Sequence, residues 1–133
     1  MQKVRKPNNL ITVSTQNQEV FIKSIKDLEP HLTQLGFLHL STNKKGFATY
    51  AEYKSKDNIQ ALFMFGPSDW HVDLSLSRNE RKYEFKDLLQ IPAISQWTKD
   101  NKLKEQTNNR IKDEVAWFVG LLRFVNENKL LIK

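Results

Sequence analysis

The sequence predicts an α+β domain. Its sheet is an antiparallel meander of four strands, or five, and an N-terminal helix and C-terminal helices pack mainly on one face. Apolar residues recur with a helical period early in the chain, with a period of two in the middle, and with a helical period again near the end. Short connectors join the middle segments, so these strands pair antiparallel, because parallel pairing needs a long crossover. Helices before and after such a sheet are typical of the α+β class.

Residues 1–15 show no helical period and contain Pro7, so we interpret them as an N-terminal arm with a short strand at residues 10–14. The rest of the chain, residues 16–133, has a suitable length for a single domain with its own core.

The first predicted helix runs from residue 16 to residue 36. Gly36 is suited to ending it in a left-handed conformation. Pro30 lacks a backbone N–H, so we expect it to kink the helix or split it at Glu29. The apolar stripe that predicts this helix consists of Phe21, Ile25, Leu28, Leu32 and Leu35.

Four runs with alternating residues follow: FLHLS, GFATYAEY, NIQALFMF and DWHVDLSLS. The connectors TNKK, KSKD and GPS have the composition of turns. In the fourth run, alternation places one set of side chains in the core and the other on a polar face. The predicted core set is Trp70, Val72, Leu74 and Leu76, and the polar set is Asp69, His71, Asp73, Ser75 and Ser77.

The last third of the chain returns to helical patterns. Residues 82–92 suggest an edge strand or a short helix, and Pro92 suits the start of a helix over residues 92–100. A polar linker then leads to a final helix over residues 109–128, which is apolar nearly all round. Such a helix is buried on more than one side, either as an internal wedge or at a homodimer seam where Gly120 permits close approach.

The face of the sheet opposite the predicted core mixes apolar and polar side chains, which suits a partner-binding surface. The alternative is that the arm or a helix covers it. Arg78 ends the core-facing row of the fourth strand, where it either meets a carboxylate of a partner or, as we favour, pairs internally with Glu80 or Glu84. The predicted partner-binding residues are Tyr50, Glu52, Leu62, Met64, His71, Asp73 and Arg78.

Few residues suggest catalysis. The chain has no cysteine, which excludes disulfides, thiolate zinc sites and a cysteine nucleophile, and it lacks G-x-S-x-G and phosphate-loop motifs. His71 and Asp73 supply only two metal ligands, and His39 approaches them only if the first and fourth strands are neighbours. We therefore predict a non-enzymatic protein with no catalytic residues, metal or cofactor. A metal-dependent enzyme using His71 is the distant alternative.

The net charge of +6 and pI near 9.6 support a second hypothesis, a basic accessory protein that associates with nucleic acid. Its contacts would come from an arm and a loop that contain Lys3, Arg5, Lys6, Lys44 and Lys45. No signal peptide or membrane-spanning run is visible, so we predict a cytoplasmic monomer or homodimer without membrane association.

The run LTQLGFLHLS, residues 32–41, is a helix end with Leu-Gly-Phe that leads into the meander. In this layout the chain resembles small α+β bacterial domains, among them toxin-immunity proteins. The resemblance implies a protein partner and an immunity-type or accessory role in a bacterium.

Overall fold

The computed structural model describes residues 5–46, 48–66, 71–103 and 110–131, and side chains from residue 17 onward. It confirms the predicted α+β class and the antiparallel meander. The elements in chain order are α1 (Arg5–Gln34), β1 (Phe37–Lys45), β2 (Ala48–Ser55), β3 (Gln60–Phe65), β4 (Val72–Arg78), β5 (Arg81–Tyr83), α2 (Phe85–Leu88), α3 (Pro92–Asp100) and α4 (Arg110–Glu127).

The five strands form one sheet in the order β1-β2-β3-β4-β5, and every neighbouring pair is antiparallel. The tight turn between β4 and β5 places Asn79 and Glu80 at φ values of +53° and +69°, a conformation that short hairpin turns favour. The register of β1 against β2 shifts between His39 and Ser41, which places a β-bulge at Leu40.

One face of the sheet, the inner face, packs against the helices. Alternate residues of β2, β3 and β4 are buried there, as the period of two predicts. Trp70, which was also expected in this core, lies outside the described residues. The buried inner residues include Ala51, Tyr53, Ala61, Phe63, Phe65, Val72, Leu74 and Leu76, and they form one cluster with Phe21, Ile25 and Leu32 of α1 and Val115, Phe118 and Leu122 of α4.

Helix α1 carries the predicted apolar stripe and ends before Gly36, whose φ is +90°. The strand expected at residues 10–14 is wrong, because α1 already begins at Arg5. The split expected at Glu29 is also wrong. Pro30 costs the helix one hydrogen bond, but Leu32 beyond it is completely buried and holds the last turn in the core. The division into an arm and a domain at residue 15 stays a prediction.

Strand β1 is longer than expected. The segment TNKK was predicted to be a connector, but it belongs to β1, and the turn follows at Gly46, whose φ is +61°. Both structures suggested for residues 82–92 occur, since β5 is followed directly by α2. Glu84 and Asp87 form a capping box at the start of α2, which ends the strand and begins the helix.

Helix α4 is the internal wedge that its all-round apolar pattern predicts, since Val115, Leu121 and Leu122 are completely buried. Trp97 of α3 lies against Gly120, where a Cβ would be 3.6 Å from the indole ring. A homodimer seam at Gly120 stays a prediction. Within the described residues, no helix has the length and apolar composition needed to cross a bilayer.

Candidate functional site

The face of the sheet turned away from the core, the outer face, is organised in transverse rows by the strand register. Each row contains directly paired residues of neighbouring strands, whose side chains lie close enough to interact. From one end of the sheet toward the other, the rows are Leu38, Lys54, Gln60, Ser77 and Lys82; then Ser41, Glu52, Leu62 and Ser75; then Asn43, Tyr50, Met64 and Asp73.

The centre of the outer face is apolar. Tyr50 and Met64 are direct cross-strand partners, and Leu62 lies in the next row. All three are half-buried, whereas Ala51 and Phe63 beside them on the inner face are at most 1% exposed. The three side chains line a shallow depression of about 260 Å³. The structure therefore brings together the apolar residues of the predicted partner-binding surface.

Charged side chains surround this apolar centre. Glu52 pairs with Leu62 and accepts a hydrogen bond from Ser41 Oγ at 3.4 Å. Asp73 pairs with Met64, and its Oδ1 accepts a hydrogen bond from the backbone N–H of the following residue at 2.8 Å. Lys82 borders the same depression. The outer face is therefore an apolar patch with acidic groups beside it and a lysine at its rim.

His71 borders the same groove as Asp73, but its imidazole contacts α4 rather than the rows of the outer face. It precedes the first residue of β4, and its Nδ1 lies 2.7 Å from Oε2 of Glu114 on α4. Strict alternation does not apply there because the strand begins only at Val72. His71 borders a groove of about 440 Å³ at the end of the sheet. The groove is lined by Met64, Gly66, His71, Val72, Asp73, Phe85, Leu103, Glu114, Trp117 and Phe118.

Glu114 is a buried carboxylate, only 6% exposed, that joins β4 to α4. Its Oε1 accepts a hydrogen bond from the backbone N–H of Val72 at 2.8 Å, and its Oε2 accepts one from Arg110 Nη1 at 3.2 Å. Arg110 Nη1 also lies 2.7 Å from His71 Nδ1. A protonated Nδ1 donates to Glu114 and a bare Nδ1 accepts from Arg110. In both tautomers the groups of α4 set the orientation of the imidazole ring.

Arg78 lies at the opposite end of the sheet from His71. The expected ion pair with Glu80 or Glu84 is wrong. Arg78 Nε instead donates to the carbonyl of Asp57 at 3.0 Å and Nη1 donates to the carbonyl of Leu131 at 3.4 Å. Arg78 therefore links the β2–β3 turn to the segment that follows α4, and the structure does not bring it to the apolar centre.

The structure also separates the histidines that were considered for a metal site. His39 lies on β1 and His71 precedes β4, with β2 and β3 between these strands. His39 Nε2 instead lies 2.7 Å from Thr42 Oγ1, and its ring packs edge-on against Tyr53 with ring centres 5.2 Å apart. In the part of the chain that the structure describes, no three His, Asp or Glu side chains are grouped as metal ligands.

Two features of this region were missed from the sequence. The first feature is the burial of Glu114, whose spacing from Ile111 and Phe118 places it on the buried stripe of the last helix. The second feature is the placement of Lys54 and Lys82 in one row of the outer face, which depends on the strand register and cannot be derived from alternation alone.

No protein-family model, curated protein or solved structure matches this chain.

Proposed function

We propose that this chain is a non-enzymatic protein-binding domain and that its outer face docks onto a partner protein. One observation carries the proposal. Tyr50, Leu62 and Met64 form a half-exposed apolar centre on a sheet whose opposite face already supplies the core. Tyrosine and methionine are enriched at protein interfaces, where a large apolar contact area is useful.

The shape of the surface favours a macromolecular partner. Met64 and Asp73 border both the depression over the sheet and the groove beside α4. The two concavities are therefore adjacent parts of one surface that extends from Tyr50 to Trp117. An apolar centre with a polar rim has the anatomy of a protein interface.

The charges on the outer face favour a protein over a nucleic acid. Glu52 and Asp73 lie beside the apolar centre, where they repel a phosphate backbone, and Lys54 and Lys82 lie in the outermost row. A protein partner can match this pattern with fixed charges of both signs. The immunity-type or accessory role suggested by the resemblance is one form of such protein binding.

A second candidate function is nucleic-acid association through the basic end of the sheet. Lys54, Arg78, Arg81 and Lys82 surround a recess of about 320 Å³, with Glu80 as its acidic residue. Clustered basic side chains attract phosphates. The basic residues first suggested for this role are elsewhere: Lys44 and Lys45 lie at the opposite end of β1, and the side chains of Lys3, Arg5 and Lys6 lie outside the described ones.

Site-specific photo-crosslinking in the cells that produce this chain tests the proposal. Leu62 is replaced by photo-reactive benzoylphenylalanine, and the control carries the same residue at Lys23, which is exposed on α1. We expect a protein adduct of discrete mass from position 62 that is absent from position 23. Adding Tyr50→Ser and Met64→Ser should abolish this adduct without unfolding the chain.

The absence of a protein adduct at position 62, or an adduct unaffected by the two serine substitutions, contradicts docking on the outer face. Recovery of nucleic acid alone, particularly with the photo-reactive residue at Lys82, favours the second candidate instead.

A further inference from the structure

We infer that the free edge of β1 binds an extended acidic segment of the partner protein as an additional strand. This inference rests on the proposed function, because it assumes that the partner is a protein. Strand addition uses main-chain hydrogen bonds for affinity and alternate side chains for specificity.

The two edges of the sheet differ in length and exposure. β5 has three residues and continues directly into α2. β1 has nine residues, and among the described strands it pairs only with β2. Its unpaired side is therefore a row of backbone groups able to pair with another strand.

Two leucines on β1 are unusually exposed. Leu38 is 63% exposed and Leu40 is 51% exposed. They lie two residues apart on the free strand, near its first residue. Exposed apolar residues on a long edge strand favour pairing with another chain, and proteins generally avoid this combination unless the edge is used. The leucines supply an apolar contact for the first half of an added strand.

The bulge at Leu40 limits which strands can pair with this edge. It inserts one extra residue between His39 and Ser41 and interrupts the register against β2. A bulge increases the local twist, so a flat strand of arbitrary sequence fits poorly. The edge therefore suits a segment that follows this twist and has side chains complementary to those of β1.

The charge of β1 specifies the chemistry of the added segment. The strand ends with Lys44 and Lys45 and contains no acidic residue, and Lys54 of β2 is paired with Leu38. A complementary segment has apolar side chains opposite the leucines and carboxylates opposite the two lysines. The whole chain carries a net charge of +6, which favours approach of an acidic segment over distance.

A second copy of this chain fits the edge less well. Antiparallel pairing of β1 with itself leaves Lys44 and Lys45 without a carboxylate, because β1 contains none. Two molecules of charge +6 also repel one another. The added strand on this edge would extend the outer face, since Leu38 and Asn43 begin the rows that contain Lys54 and Tyr50.

The test starts from a phage-displayed library of random peptides about twelve residues long, enough to cover β1. The purified protein selects binders, and the selected peptide is synthesised for titration by fluorescence anisotropy. We expect sequences that combine apolar residues with Asp or Glu and contain no central proline. Hydrogen–deuterium exchange with this peptide should show new protection at amides within residues 37–45, which separates strand addition from contact by side chains alone.

Two double variants and a matched control locate the binding surface. Leu38→Ser with Leu40→Ser, and Lys44→Glu with Lys45→Glu, should each weaken peptide binding by about tenfold or more, as loss of interface anchors does. Val20→Ser with Lys23→Glu, at exposed positions of α1, should change it by less than about twofold, as expected for residues outside the contact. Thermal unfolding confirms that each variant is folded.

Three results overturn the inference. The first is selection of no peptide. The second is a peptide whose binding depends on Leu62 and Met64 and leaves the amides of β1 unprotected, which contradicts the edge while supporting the outer face. The third is protection of β1 in the protein alone together with a doubled mass by light scattering, which assigns the edge to a second copy. The crosslinking adduct at position 62 is measured separately, so failure of the edge is distinguishable from failure of the proposed function.

Discussion

The two faces of the sheet are built from alternate residues of the same strands, yet they have opposite properties. On β4, Leu74 is 1% exposed on the inner face, whereas its neighbour Asp73 is exposed on the outer face. On β3, Phe63 is completely buried and Met64 is half-buried. The inner face supplies the stability of the domain, and the outer face is therefore available for recognition. Neighbouring substitutions test how completely these roles are separated.

The largest expected effect is on the inner face. Leu74→Ala should lower the free energy of unfolding by about 2–5 kcal/mol, because it truncates a buried aliphatic side chain and leaves a cavity. Its matched control is Asp73→Ala, which should change the free energy by less than about 0.5 kcal/mol, as at most surface positions. Urea titrations measure both. If Asp73→Ala is as damaging as Leu74→Ala, the outer face is buried by another element and cannot be a docking surface.

A smaller effect is expected where β4 meets α4. Glu114→Ala should cost about 1–3 kcal/mol, because the buried N–H of Val72 loses its acceptor. Glu114→Gln should cost less, since an amide oxygen can still accept from Val72. Glu127→Ala, at an exposed position of the same helix, serves as the control and should cost less than about 0.5 kcal/mol. Equal losses at Glu114 and Glu127 would show that the carboxylate does not hold the strand to the helix.

The smallest expected effect concerns the two tyrosines of β2, which lie on opposite faces of the sheet. Tyr53 is buried on the inner face and its hydroxyl donates to Glu29 Oε1 at 3.2 Å. Tyr53→Phe should cost about 0.5–1.5 kcal/mol through loss of this bond. Tyr50→Phe on the outer face should cost less than about 0.5 kcal/mol. Thermal and urea unfolding at neutral pH provide the measurement.

The same pair of tyrosines predicts a pH dependence. Burial raises the pKa of Tyr53, and the nearby Glu29 carboxylate raises it further through its charge and its hydrogen bond. Above the unfolded tyrosine pKa of about 10, the unfolded chain releases a proton that folded Tyr53 retains. Stability from this group is therefore fully present below about pH 10 and is lost as pH rises through the alkaline range. Tyr53→Phe should flatten this decline, and Tyr50→Phe serves as the control. An unchanged slope with Tyr53→Phe would contradict the assignment.

Local patterns in the sequence were sufficient for most of the fold. The spacing of Phe21, Ile25 and Leu32 predicts the buried stripe of α1, because a helix turns by a constant angle at each residue. Alternation likewise places Leu62 and Met64 on one face of β3. Because the short connector makes β2 and β3 antiparallel neighbours, Tyr50 of β2 lies on the same face of the sheet. At residues 42–45 the prediction misplaced the end of β1, and local composition determines such boundaries weakly. At residues 10–14 it gave the wrong element type, because these residues belong to α1.

The remaining features depend on residues that are distant in sequence. Arg78 meets the carbonyl of Leu131 across 53 positions, and the backbone of Val72 meets Glu114 across 42. No local pattern in the sequence predicts which distant group will accept a hydrogen bond from such a donor. The sequence by itself determined the type and order of the elements and the two faces of each strand, because these follow from periodicity along the chain. The tertiary structure alone decided that His71 contacts α4, that Lys54 and Lys82 lie in one row, and that β1 has a free edge, because these features follow from how separate elements are packed and paired.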